Sequence, residues 1–313
     1  MTIRKATPEA IAEASRILLS GGLVSFPTET VYGLGAVATN TDAVSKIFSI
    51  KGRPSINPLI VHVGSADWVS QFAETDDRYE KLARALWPGP ISFVVKLKPD
   101  NTISKLVTAG LNTVAVRHPR GAIANELLTT VKTPLAAPSA NKSGAVSPTN
   151  ASHVAESLDG EIDMILDGGN CEVGLESTVL DISSNGPAVI LRPGAVTQES
   201  LTGIIGPVLQ DDASPDLPKS PGQMLSHYAP SLPVRLNALD QEQGEALLGF
   251  GSLEGATLNL SPSGNLSEAA TNLFRMLREL DSPNKYRAIA VASIPNTGIG
   301  IAINDRLKKA ARQ

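Results

Sequence analysis

The chain has 313 residues, 42% of them hydrophobic and 19% charged, and its 27 Lys and Arg against 31 Asp and Glu leave a formal charge of −4. That profile excludes an intrinsically disordered chain and lacks the strong positive balance that nucleic-acid binders carry. One cysteine, Cys171, excludes an internal disulfide and a zinc site built on cysteines.

The elements read in chain order as an α/β protein. No apolar run reaches the roughly 18 residues of a membrane span. The opening residues MTIRKATPE lack the apolar stretch of a signal peptide, so a cytoplasmic location without membrane contact is expected. Thr7 before Pro8 predicts a helix start, with Ile11, Ala14, Ile17 and Leu18 on one face and Gly21 and Gly22 as its stop. Strands are predicted at 23–26, 59–63, 91–97, 113–117, 135–137, 164–167, 177–182 and 188–191, and helices at 42–50, 76–86, 123–131, 151–158 and 198–204. Several of these strands follow one another through short connections, which predicts a mixed sheet. Composition changes after Gly206: Pro215, Pro218, Pro221, Pro230 and Pro233 read as a semi-rigid linker. A second α/β unit follows, with strands at 247–251, 256–260 and 288–294 and helices at 266–280 and 301–311. Ala269, Leu273, Met276, Leu277 and Leu280 form the apolar stripe of its first helix. The expected division is 1–206, a linker at 207–232, and 233–313.

Five segments carry candidate chemistry, all in loops beside strand ends. Residues 26–35, FPTETVYGLG, offer hydroxyls, one carboxylate and glycines for tight turns. In 51–62, KGRPSINPLIVH, Lys51 and Arg53 are two apart, so an extended backbone turns both cations the same way. A point charge beside a planar fork suits a polyphosphate, and Asn57 adds an amide. His62, inside an apolar strand, reads either as a structural histidine or as a ligand contact. Arg117 ends a strand before His118-Pro119, placed for a carboxylate or phosphate. Residues 138–149, PSANKSGAVSPT, are small and polar, and neither a Walker A loop nor a GxGxxG fingerprint occurs. Finally, Ser177 opens a strand after Gly174-Leu-Glu, and Arg192 repeats the cation-before-proline pattern of Arg117. Four cations at strand and loop ends of a net-acidic chain favour an anionic ligand.

Together, residues 26–35, 51–62, 139–149 and 176–194 resemble the YrdC family of threonylcarbamoyl-adenylate synthases. The run PGQMLSHYAP at 221–230, with 249–251 and the NDRL of 304–307, resembles that family's long form. The resemblance implies a YrdC-like catalytic domain with a twisted mixed sheet and an open cleft, plus a small Rossmann-like C-terminal domain. It implies that L-threonine, bicarbonate and ATP give L-threonylcarbamoyl-AMP and pyrophosphate, with Mg²⁺ accompanying ATP. The product would pass to separate tRNA threonylcarbamoyl-transfer proteins, tRNA itself being met only indirectly. By resemblance, Lys51, Arg53, Asn57, Asn141, Arg192 and His227 face ATP, with Thr113 and Thr149 as hydroxyl contacts; Ser147 could stand in for Thr149. Thr30, His62, Arg117, Ser139 and Ser177 would face threonine. Lys51 and Arg53 would carry the catalysis, and the linker bearing His227 and Tyr228 would fold over the cleft. The competing functions are a carbamoyl-transfer module and a non-catalytic tRNA or double-stranded RNA binder.

Overall fold

A computed structural model describes residues 1–158, 160–211, 218, 220–223 and 227–312. Pro215 of the expected linker, and Met224, Leu225 and Ser226 of its PGQMLSHYAP run, lie outside the described residues.

The first unit opens with β1 (Thr2–Lys5) and α1 (Pro8–Leu19). β2 (Val24–Phe26) and β3 (Gly33–Val37) form a hairpin, and α2 (Thr41–Lys51) leads to β4 (Ile60–His62). Then come α3 (Asp77–Leu86), β5 (Ile91–Lys96), the single turn α4 (Lys105–Thr108) and β6 (Thr113–Arg117). α5 (Ala122–Val131), β7 (Leu135–Ala136), α6 (Ala151–Leu158) and β8 (Met164–Asp167) follow. β9 (Thr178–Asp181), β10 (Ala188–Arg192), α7 (Gln198–Ile205) and β11 (Val208–Gln210) complete the unit. The second unit holds β12 (Val234–Leu236), β13 (Glu245–Gly249), β14 (Leu258–Asn259), α8 (Leu266–Leu280), β15 (Ala288–Val291) and α9 (Gly300–Ala310).

Eleven strands make one mixed sheet in the order β1-β8-β2-β3-β7-β4-β6-β5-β9-β10-β11, and four make a second sheet, β12-β15-β13-β14. Every pair in the second sheet is parallel. In the first, β4 and β6 run parallel, with His62 opposite Arg117, while β5 and β7 lie antiparallel on either side. The register therefore brings His62 and Arg117 to the same sheet edge. Because β11 pairs with β10, the large sheet extends to Gln210, four residues past the expected boundary at Gly206.

Local sequence explains the element ends. The Thr7 hydroxyl accepts from the Ala10 amide at 3.3 Å, and Pro8 fills the first turn of α1. The Asn40 side chain caps α2 through Ala43 at 3.0 Å, and Gly52, at φ 59°, ends it in the left-handed region. That turn takes the chain through Arg53 and Pro54 into a second turn at 55–57, so Lys51 and Arg53 do not share the extended backbone expected of them: Lys51 ends the helix and Gly52 redirects the chain before Arg53. The Thr7–Pro8 start and apolar face of α1 were thus legible, but β3 was not. Its glycines argue against a strand, yet a Cβ on Gly35 would sit 2.8 Å from Cε1 of Phe26. Glycine is needed there for the hairpin to close over that ring.

The two units share a core. Val31, Val146 and Leu175 of the first pack in one buried cluster with Leu273, Phe274 and Leu277 of α8 and with Tyr228. Gly174, at φ +74°, is where α8 comes closest: a Cβ there would lie 2.6 Å from the Cα and carbonyl oxygen of Thr271. Gly174→Ala is expected to cost about 2 kcal/mol or more, from backbone strain and the clash together. A thermal melt should show a Tm lower by about 4 °C or more; an unchanged Tm would mean that the contact tolerates a side chain.

Candidate active site

The site is built on the loop between β2 and β3, on the C-terminal ends of β4, β6 and β10, and on the segments after α2 and β7. In the first loop the Thr28 hydroxyl donates to the Val31 carbonyl at 2.6 Å and lies 2.9 Å from the Thr30 hydroxyl. Nη1 of Arg117 donates to the Thr30 hydroxyl at 2.8 Å. With that donor fixed, the Thr30 proton points to Thr28 and the Thr28 proton to Val31, a chain polarised away from the cation.

Nη2 of Arg117 lies 2.8 Å from Oε1 of Glu29, both side chains nearly fully buried. The angle is not that of a hydrogen bond, so this is a charge contact, and the Glu29 oxygens carry no side-chain hydrogen bond of good geometry. Burial raises the Glu29 pKa, but the Arg117 charge outweighs it, so the carboxyl is held below its ordinary value. The two groups are ionised together, with Glu29 anchoring one edge of the guanidinium.

His62, 3% exposed, sits edge-on to Phe26. Burial first, and the Arg117 charge second, push its pKa down to about 3, so the ring is neutral at physiological pH. This has a consequence for stability. The folded-state pKa lies below the unfolded value of about 6.5, so the unfolded chain takes up a proton first as acid is added. The contribution of His62 is complete above about pH 6.5 and is lost as pH falls towards the folded value. In that window wild type should lose up to about 1.4 kcal/mol per pH unit through this group. Denaturant titrations from about pH 7 to about pH 4 should show a shallower loss in His62→Gln, and equal slopes would contradict this account.

Behind the wall that carries Arg53, Lys51 ends α2, 2% exposed. Its ammonium donates to the Ser139 carbonyl at 2.7 Å and to the Asn141 carbonyl. Arg53 donates through Nε to the Asn57 carbonyl at 3.0 Å and through Nη2 to the Asn57 side-chain oxygen and the Pro58 carbonyl, each at 2.7 Å. The Asn141 amide nitrogen bonds to the Lys142 and Ala145 carbonyls, at 2.7 and 2.8 Å, and its buried oxygen is unpartnered. Burial, with Arg53 and Lys142 nearby, pushes the Lys51 pKa down, and burial does the same to Arg53. An arginine remains a cation through such a shift at neutral pH.

The third wall comes from β9, β10 and the linker. Arg192 donates from Nε and Nη2 to the Ser177 carbonyl at 3.1 and 2.9 Å and from Nη2 to the Ser177 hydroxyl at 3.1 Å. Its Nη1 donates to the Pro221 carbonyl at 3.3 Å, so the linker is tied directly onto this cation. Tyr228, 1% exposed, takes φ 62°, an uncommon conformation for an aromatic residue, and its ring centroid lies 4.0 Å from that of His227.

Arg53, Arg117, Arg192, Thr30, His62, Ser139, Ser177 and His227 line one cavity. Lys51, Asn57 and Asn141 stand behind its wall, held by the bonds above. Thr149 is buried beside the His153 ring, 3.3 Å from Nδ1, while Ser147 donates to a Glu176 oxygen; neither lines the cavity. Thr113 opens β6 opposite Lys96, at the strand end away from Arg117, and does not line the cavity either. Lining residues given no role beforehand include Thr28, Glu176 and Gly222, while Tyr228, expected with His227 on the linker over the cleft, lines the cavity beside it. Glu29 and Glu176 stood inside quoted segments; what marked them was a lone carboxylate beside hydroxyls, a signal that does not say which cation it meets. No described carboxylate forms an ion pair with Arg53 or Arg192, which line the cavity, so it holds a surplus of positive charge.

Comparison with known proteins bears on the same residues. Positions 16–194 match the Sua5, YciO and YrdC family model, described as telomere recombination, and positions 196–312 match the C-terminal domain of threonylcarbamoyl-AMP synthases. The chain belongs to this family. It is 42% identical to the threonylcarbamoyl-AMP synthase of Bacillus subtilis (strain 168), covering 96% of this chain and 92% of that one. The corresponding Pyrococcus abyssi (strain GE5 / Orsay) protein is 39% identical, covering 95% and 93%. The crystal structure of P. abyssi Sua5 complexed with L-threonine superimposes with a TM-score of 0.91 at 37% identity, covering 99% of this chain and 96% of that chain. The family's long form, with both units, is therefore the one to which this chain is similar. No described helix is long and apolar enough to cross a membrane.

Proposed function

We propose that the chain is an L-threonylcarbamoyladenylate synthase. The observation that carries this is the gathering of two buried guanidiniums without a carboxylate ion pair, Arg53 and Arg192, with Lys51 behind them, beside a separate Thr30–Arg117 edge anchored by Glu29. Two anions can be held there side by side, which is the main task of the reaction. The threonine amine adds bicarbonate to give a carbamate and water. A carbamate oxygen attacks the α-phosphorus of ATP, the bond to the β-phosphate oxygen breaks, and pyrophosphate leaves with that electron pair. The nucleophile is already anionic, so the protein need only orient it and stabilise charge on the transferred group.

In this assignment Thr30, His62, Arg117, Ser139 and Ser177 take threonine, the Arg117 edge receiving its carboxylate. A neutral His62 can accept or donate one hydrogen bond without repelling the ammonium. Lys51, Arg53 and Arg192 take the phosphates, and Asn57, Asn141 and His227 take the rest of the nucleotide, the hydroxyls of Thr149 and Thr113 being met only by a part of it that extends beyond the cavity. The family relatives are named as synthases; bicarbonate, Mg²⁺ and the downstream partners are what the resemblance to the family implies. Glu29 is committed to Arg117 and Glu176 to Arg306, which fits Mg²⁺ entering on ATP oxygens and water and not in a protein cage. When bound, the ion would neutralise phosphate charge. The product, a labile mixed anhydride, would be consumed by proteins that transfer the threonylcarbamoyl group to a tRNA adenosine in the cytoplasm.

Burial argues against a non-catalytic RNA binder. Lys51, Arg53, Arg117 and Arg192 are 2, 8, 4 and 3% exposed, out of reach of a phosphate backbone. Incubation with ATP, bicarbonate and labelled threonine tests the proposal: mass spectrometry should find the adenylate, with pyrophosphate release that needs both threonine and bicarbonate. Release that ignores threonine, or none, would overturn it.

A further inference from the structure

Helix α9 of the second unit reaches into the site of the first. Arg306 is completely buried. Its Nε donates to Oε2 of Glu176 at 3.0 Å, its Nη1 to the Asp305 carboxylate at 2.7 Å, and its guanidinium carbon lies 5.2 Å from the Tyr228 ring centroid. The other Glu176 oxygen accepts from Ser147. Glu176 lines the cavity and is followed by Ser177, whose carbonyl and hydroxyl hold Arg192. A buried anion therefore stands one peptide unit from the anchor of a cation assigned to the phosphates, and a residue from another domain neutralises it. Burial alone would raise the Glu176 pKa; Arg306 first, and Arg192 second, keep the carboxylate ionised.

We propose that Arg306 is a positioning residue for the adenylation site: by engaging Glu176 it keeps that carboxylate off Arg192 and leaves the Arg192 charge without a carboxylate partner, available to the ATP phosphates. Without Arg306, Glu176 has one neutral hydroxyl and a single cation within its field. A buried carboxylate in that position turns to the guanidinium, because an unpaired buried charge is the costlier state. The cavity then loses one of its surplus positive charges at the phosphate end, while the Thr30–Arg117 edge keeps its own partner, Glu29. The C-terminal domain would thus act on nucleotide binding through charge, selectively over the amino acid.

The inference rests on reading the cavity as an ATP site, and the test separates the two. Steady-state pyrophosphate release is measured for full-length wild type, Arg306→Met, Arg306→Lys, and the double variant Arg306→Met with Glu176→Gln. Arg306→Met should raise the KM for ATP about 10-fold or more while the KM for threonine moves less than about 2-fold. Arg306→Lys, which keeps the charge, should stay within about 3-fold of wild type for ATP, and so should the double variant, because removing the carboxylate removes what captures Arg192. An unchanged ATP KM in Arg306→Met, an equal rise for both substrates, or no recovery in the double variant would overturn the inference. Should Arg306→Met fail to fold, the double variant decides alone, since it buries no unpaired charge from this pair: a near-wild-type ATP KM supports the inference and a raised one overturns it. Wild type that releases no pyrophosphate would instead overturn the proposed function, and this inference with it.

Discussion

Arg117→Ala is expected to abolish turnover at ordinary threonine concentrations and to weaken the fold. The guanidinium lies 2.8 Å from Glu29, whose residue is 3% exposed. Removing one partner of a buried ion pair leaves a desolvated charge, a loss of about 3–5 kcal/mol. It also removes the donor that orders the Thr30 and Thr28 hydroxyls. Catalysis should fall through threonine: kcat/KM for threonine should drop about 100-fold or more, with a much smaller change in the KM for ATP. Adding Glu29→Gln to Arg117→Met should recover much of the stability and none of the activity, because it removes the stranded charge without restoring the clamp. Denaturant unfolding and steady-state kinetics on both variants read this out. A defect selective for ATP would move Arg117 to the other substrate.

The second large effect is expected at Arg53. Its three hydrogen bonds go to neutral oxygens of Asn57 and Pro58, so Arg53→Ala strands no charge. The stability loss should be about 1–3 kcal/mol, smaller than for Arg117→Ala, while the chemistry suffers more. Loss of a charge-assisted contact made to the transferring phosphoryl group should remove about 2–4 kcal/mol of transition-state stabilisation. That corresponds to roughly 30- to 1,000-fold in kcat/KM for ATP, measured as threonine-dependent pyrophosphate release. Arg53→Lys should not restore it fully, since an ammonium cannot bridge Asn57 and a phosphate with the same planar fork. Near-wild-type turnover in Arg53→Ala would remove this residue from the site.

The helices and the buried strands were legible because their signals are local. α8 runs over Leu266–Leu280 as its apolar stripe requires, and β6 spans Thr113–Arg117 as its alternating run does. What escaped has tertiary causes. β1 is exposed along its whole length, so no hydrophobic period marks it, and β3 carries a glycine at 35 because the Phe26 ring leaves no room for a side chain there. The site followed the same division. Arginines before prolines at strand ends could be picked out singly, and register then carried Arg117 beside His62. The counter-charges could not: Glu29 meets Arg117 across 88 positions, and Glu176 meets Arg306 across 130. Only the folded chain shows which carboxylate quiets which cation, and hence which cations are left over.

The core shared by Val31, Val146 and Leu175 with α8 has one more implication. The hinge between the units is not a hinge in water: the two bodies are welded by the same kind of dry contact that holds each together. Cutting the gene at the linker would therefore not liberate a tidy catalytic half. It would strip an oily seam open beside the cavity proposed to take nucleotide, and the fragment would be expected to associate with itself before its chemistry could be judged.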